Sequence, residues 1–162
     1  MRLGLTHDPQ VTGYEMSVVA SLAANCWLAA ANATQLPPEL LYAIAEVESG
    51  FRGDAVARAN NGTRSVGVMQ VNSVWFPMLA KAGIDERQLR DPCTNIHVGA
   101  WILSREVRRY GYSWEAIGAY YAGPHDKPHL SWRLKHYHGY ANRVLAAWER
   151  LNRKAREASA RR

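Results

Sequence analysis

The sequence predicts a mainly α-helical domain of six or seven helices, and three observations lead there. Helix formers dominate, Ala above all. Dense alternation of β-branched residues, the mark of strands, is scarce. Helix start and stop signals recur in the right order along the chain, with no internal repeat, low-complexity run or dividing linker. At 162 residues and 48% hydrophobic content, residues 1–162 are expected to fold as one domain around one core.

Residues 1–14 are expected as a flexible leader, and MRLGLTHDPQ does not settle the compartment, because it carries His and Asp rather than a cationic region. MSVVASLAANCWLAAANA is weakly signal-like, but cleavage after Ala33 would remove Cys26. Residues 15–33 are therefore assigned to a mature first helix, ending near Asn32 and Gln35. Pro37 and Pro38 open the second, LLYAIAEVES, where proline's missing donor costs nothing, and Gly50 stops it.

RGDAVARANNGTRSVG is expected to be an irregular polar loop, and VMQVNSVWFPMLAKAG to resume a helix that runs toward Gly83. IDERQLRDP is a short turn or helix closed by Pro92. TNIHVGAWILSREVRRYG opens on a Thr94 cap and closes on basic residues and Gly111; SWEAIGAYYAGP opens on Ser113 and stops at Pro124. After the loop HDKPHL a long last helix follows, in which Trp148, Leu151 and Ala155 alternate with cations as in a packed helix. Its end, 150–162, is strongly basic.

The formal charge of +6 comes from 20 Lys and Arg against 14 Asp and Glu, with much of the excess after Glu149. That tail suits an anionic wall polymer, nucleic acid or lipid headgroups, or is a solvated helix end with cations at its negative pole. Nucleic acid is not expected as a partner, because no recognisable reading element accompanies the cations. No stretch approaches the ~20 apolar residues that span a bilayer.

Within LLYAIAEVES, Leu41, Ile44, Ala45 and Glu48 stand at i, i+3, i+4 and i+7, one stripe of a helix. Glu46 points elsewhere and is expected to reach water, whereas Glu48 turns inward. Burial disfavours the charged form, so Glu48 is expected to hold its proton toward neutral pH and to be able to act as a general acid. The alternative is a structural carboxylate bonded to buried backbone or to Arg52. Asp54 and Asp126 are the candidates for a second carboxylate, which a hydrolase would use to activate water.

The remaining reactive side chains carry less. His125 and His129 flank Pro128, and His136 and His138 point to different faces, so no metal site is expected. Ser49 and Ser65 lack a nearby His base in sequence, and no cofactor is called for. Cys26 and Cys93 are two free thiols, or a disulfide closing a long loop and implying an oxidising compartment.

Five stretches in order, VESGF, SVGVMQVN, TNIHVGAW, AYYAG and HGYANRV, together resemble the soluble lytic transglycosylases, particularly the small members that accompany conjugation, pilus and type III or IV secretion machines. The resemblance covers about Cys26 to Trp148 and implies a lysozyme-like fold of the goose-type class. It implies that Glu48 is the single catalytic acid, that Ser65, Met69, Gln70 and Asn72 line a sugar groove with Gln70 facing substrate and Met69 packed beneath it, and that Tyr120, Tyr121 and Tyr140 complete it, Tyr140 holding the acid. Tyr121 departs from the family's Ala-Tyr-Asn-Ala-Gly, in which asparagine stands there.

The resemblance also implies a Cys26–Cys93 disulfide, because secretion-type members share an early cysteine and the Asp-Pro-Cys-Thr-Asn context of Cys93. The implied substrate is the glycan of peptidoglycan, cut between N-acetylmuramic acid and N-acetylglucosamine with a 1,6-anhydro end. The implied partners are components of an envelope-spanning machine, and the implied location is the periplasm or cell envelope of a Gram-negative bacterium. A muramidase and a non-catalytic peptidoglycan-binding scaffold are the competing functions.

Overall fold

A computed structural model describes residues 25–123 and 130–161, with side chains from 138 onward in the second stretch. The leader expected at 1–14, the start of the first helix, Pro124, His125, Asp126 and His129 lie outside the described residues, as does the side chain of His136. Helix α1 (25–34) ends at Gln35, whose φ of 57° turns the chain so that the amide of Leu36 donates back to Ala31 O. Helix α2 (Pro38–Ser49) starts on proline and stops at Gly50, a left-handed residue whose amide donates to the carbonyls of Ala45 and Glu46. Its inward stripe, Leu40, Leu41, Ile44 and Ala45, is buried in the core.

The stretch expected as an irregular loop contains two strands, β1 (Val56–Arg58) and β2 (Arg64–Val66), of a small antiparallel sheet whose third strand, β3 (Val71–Asn72), falls in the stretch expected as a helix; the strand order is β1, β2, β3. Val56 pairs with Val66 and Arg58 with Arg64, while Ser65 stands opposite Asn72. Strands this short show too few alternations to stand out in a sequence. The legible signal was Asn61-Gly62: Gly62 takes φ 82°, and Asn61 Oδ1 accepts from the amide and hydroxyl of Thr63.

The helix expected over VMQVNSVWFPMLAKAG is also corrected. Gly67 and Gln70 take φ of 80° and 50°, which no helix accepts, so the apolar residues there are buried from a folded loop and β3. A single 3-10 turn (Ser73–Trp75) and the short α3 (Phe76–Lys81) follow. A second 3-10 turn (Gln88–Arg90) precedes α4 (Pro92–Tyr110), whose cap is Asp91 rather than Thr94; Asp91 Oδ2 accepts from the Thr94 amide at 2.8 Å. In α5 (Trp114–Ala122), Ser113 caps as expected, accepting from the Ala116 amide.

Helix α6 (Leu130–Ala160) packs against α2 and α5, and α5 against α4. Trp148 and Leu151 lie against the core, but Ala155 is exposed with the rest of residues 153–161, so packing ends earlier than the sequence pattern implies. Glu46 is half-buried and paired with Arg150, which ties α2 to α6 instead of leaving Glu46 to water. Cys26 and Cys93 form a disulfide that joins α1 to the start of α4 across 67 residues, a loop whose closure contributes ~4 kcal/mol in the chain-entropy account. The architecture is mainly α-helical: among the described residues, six helices lie around one buried cluster with the sheet at its side. Among the described residues no helix is long and apolar enough to cross a membrane.

Candidate active site

Glu48 lies in the last turn of α2, where the helix leaves the core, and is partly exposed. Tyr140 on α6 donates its hydroxyl to Glu48 Oε1 at 2.6 Å. Burial of the carboxyl pushes its pKa up from 4.5 to about 7; the Tyr140 hydroxyl and the nearby Arg143 guanidinium pull the other way without prevailing. Burial, and then the charge of Glu48, raise the hydroxyls of Tyr140 and Tyr120 well above the ordinary tyrosine value, so both stay protonated. Arg52, the alternative partner considered for Glu48, donates instead to the carbonyl of Ser49.

Residues 64–72 stand beside this acid. Met69 is fully buried against Gly99, where an added Cβ would meet Met69 Cβ at 2.6 Å, so only glycine lets the loop sit so close to α4. Tyr120, buried on α5, donates to Met69 O at 2.7 Å. Gln70 turns its amide nitrogen onto the carbonyls of Ala55 and Gly67, at 3.1 and 2.9 Å. Asn72 donates to Ser65 Oγ at 3.2 Å and accepts from the Val74 amide, so these two groove candidates bond to each other across β2 and β3.

Tyr121 lies on the other side. Its ring stacks on Tyr140, centroids 4.8 Å apart and planes 21° apart, and it remains 54% exposed. The fold thus gathers Glu48, Met69, Tyr120, Tyr121 and Tyr140, and places Ser65, Gln70 and Asn72 in the adjoining sheet and loop. Asp54 is exposed in the turn after α2, and among the described residues no carboxylate is among the groups that move the pKa of Glu48. No group of three or more His, Cys, Asp or Glu gathers among the described residues.

Three residues that shape the site were not singled out for these roles from sequence. Ser49, weighed only as a nucleophile, is buried and donates to Val68 O at 2.7 Å, clamping the end of α2 to the 66–70 loop. Asn95 is fully buried: its amide donates to Val66 O and Leu89 O, both at 2.9 Å, and Oδ1 accepts from the Met69 amide at 2.8 Å. Gly67 leaves room for it, since a Cβ there would lie 2.1 Å from Asn95 Nδ2. Arg143, the third, had a usable signal in its i+3 spacing from Tyr140, which puts both on one helix face.

Comparison with protein-family models matches the description "Transglycosylase SLT domain" over residues 25–131. Invasion protein IagB of Salmonella typhimurium (strain SL1344) is 48% identical over 105 residues, which are 64% of this chain and 66% of IagB, just under two thirds of that relative's length. Protein IpgF of Shigella flexneri is 40% identical over 123 residues, 75% of this chain and 80% of IpgF. Among solved structures, an inactive mutant of the lytic transglycosylase Slt from Pseudomonas aeruginosa superposes with a TM-score of 0.61 at 26% identity, covering 80% of this chain but only 24% of Slt.

Proposed function

Because this chain belongs to the transglycosylase SLT family of lytic transglycosylases, we propose that it cleaves the β-1,4 bond between N-acetylmuramic acid and N-acetylglucosamine in peptidoglycan, with Glu48 as its single catalytic acid. Glu48 gives its proton to the bridging oxygen as the glycosidic bond breaks and positive charge develops at the muramyl anomeric carbon. The leaving N-acetylglucosamine departs with a free 4-hydroxyl. Glu48, now a carboxylate, takes the proton of the muramyl 6-hydroxyl as that oxygen closes on the anomeric carbon, giving the 1,6-anhydro ring and restoring the acid. The nucleophile is part of the substrate, so proximity takes the place of a second carboxylate.

The observation that carries this reading is the state of Glu48: a carboxyl held by burial at a pKa of about 7, so that a large fraction is protonated at neutral pH, with one tyrosine hydroxyl to orient it. The anhydro route needs no second carboxylate, because the muramyl 6-hydroxyl is the nucleophile. Ser65, Met69, Gln70, Asn72 and Tyr120 shape the sugar groove, the sheet residues through the backbone they hold. The relative IagB is named an invasion protein; with the basic surface of this chain, that name supports a role in the envelope, opening the wall where a larger apparatus passes, on the periplasmic side.

Digestion of purified peptidoglycan followed by mass analysis tests the proposal. Muropeptides lighter by one water than muramidase fragments are expected, together with no release by Glu48→Gln, which still binds the polymer. Reducing ends in the products would make the protein a muramidase. No release by the folded wild-type chain would leave a binding scaffold. Normal digestion by Glu48→Gln would remove Glu48 from the acid's role.

A further inference from the structure

The buried ring of Tyr140, 1% exposed, has two neighbours that are themselves open to solvent. Tyr121 stacks on it, and the guanidinium of Arg143 lies over it, 5.6 Å from the centroid. Tyr120 and Tyr121 are adjacent on α5 but divide the work: Tyr120 points inward to Met69 O, whereas Tyr121 keeps 54% of its surface exposed. Arg143 is exposed, near enough to Glu48 to act on its charge, and among the described residues it forms no ion pair. Its one hydrogen bond, to Gly139 O, is long at 3.5 Å. An open aromatic face and an unpaired guanidinium therefore flank the ring that holds the acid.

These two groups have different chemical appetites. An aromatic face takes the apolar face of a pyranose, and a guanidinium takes a carboxylate with two parallel hydrogen bonds. In the proposed substrate, N-acetylglucosamine is neutral, and the muramyl residue carries a lactyl group that ends in a carboxylate or continues into a peptide with carboxylates of its own. We propose that Tyr121 and Arg143 form a two-point reader for the muramyl residue at the acid, Tyr121 against the sugar ring and Arg143 on a carboxylate of its substituent. The inference rests on the proposed function. It also gives a reason for an aromatic residue at 121, where the resembling family has asparagine.

Binding to the full-length Glu48→Gln chain, which is not expected to turn over the ligand, tests the reader with three probes: chitotetraose, a peptide-free tetrasaccharide of alternating N-acetylglucosamine and N-acetylmuramic acid, and the same glycan bearing its peptides. Arg143→Met should weaken binding of one or both anionic probes about tenfold and leave chitotetraose unchanged. Loss with the peptide-free probe assigns the lactyl carboxylate; loss only with the peptide-bearing probe assigns the peptide. Tyr121→Ala should weaken all three about tenfold, and Tyr121→Phe, which keeps the ring, should recover the loss. An Arg143→Met effect equal on all three probes, or absent from all, would overturn the reader, as would a Tyr121→Ala variant that binds chitotetraose normally. Failure of the wild-type chain to bind any of these glycans would instead sink the proposed function itself.

Discussion

The wall formed by residues 64–72 is held by hydrogen bonds turned inward, whereas the wall formed by α5 and α6 is held by stacked rings whose outer surface meets solvent. On the first, Asn95, Ser49 and Gln70 spend their polar atoms on the backbone of the loop, and Ser65 and Asn72 spend theirs on each other. On the second, Tyr121 and Arg143 lean on Tyr140 and stay exposed to solvent. A loop with little regular structure needs buried hydrogen bonds to have one shape, so the first wall supplies form. The second, on rigid helices, has polar and aromatic surface to offer a ligand. Glu48 stands beside both, at the end of α2, bonded to the second and clamped through Ser49 to the first.

The largest effect expected comes from breaking the first wall. Asn95→Ala removes three buried hydrogen bonds and leaves two carbonyls and one amide unpaired, so it should cost about 4 kcal/mol in chemical denaturation. A loss under about 1 kcal/mol would mean that the loop does not depend on its buried amide.

Glu48 itself gives the next effect, with a sign that depends on pH. Its folded pKa lies above the unfolded value of 4.5, so the unfolded chain ionises first as pH rises, and stability falls between 4.5 and about 7. The cost is absent below 4.5 and complete above about 7, where it amounts to about 3 kcal/mol. Glu48→Gln should therefore stabilise the fold by up to about 3 kcal/mol at pH 8 and change little at pH 4, measured by thermal or urea unfolding at both. Equal effects at the two pH values would show that the carboxyl is not desolvated.

The smallest effect sharpens the contrast within the second wall. Tyr140→Phe keeps the stack on Tyr121 and removes the hydroxyl that lowers the pKa of Glu48. Activity of the wild type should decline as pH rises through about 7, the folded value for Glu48, and in the variant that decline should move to higher pH, a change worth about 1 kcal/mol. Movement to lower pH would mean that the hydroxyl stabilises the protonated acid.

Glu48 was legible because a helix stripe of Leu41, Ile44 and Ala45 leaves no doubt about which way position 48 faces, and a carboxylate there breaks the apolar pattern. Tyr140 was legible only through resemblance, since 92 residues separate it from the acid it bonds. The sheet was missed because strands of two or three residues carry no readable period, and the helix expected after it because apolar residues buried from a loop imitate a helical stripe. Asn95 gave no sign of its three bonds, since a polar residue on a helix reads as surface unless its partners are known.

By itself the sequence determined the helical class, the ends of α2 and α5 and the inward turn of Glu48, because these depend on neighbours within one or two helical turns and on residues such as Pro38, Gly50 and Ser113 that act locally. Only the tertiary structure decided the other partners: Arg143 at the acid, Asn95 under the loop, and Glu46 with Arg150. Those pairings join elements far apart in the chain, and whether a polar side chain is buried and bonded or left to water depends on packing that no local pattern encodes.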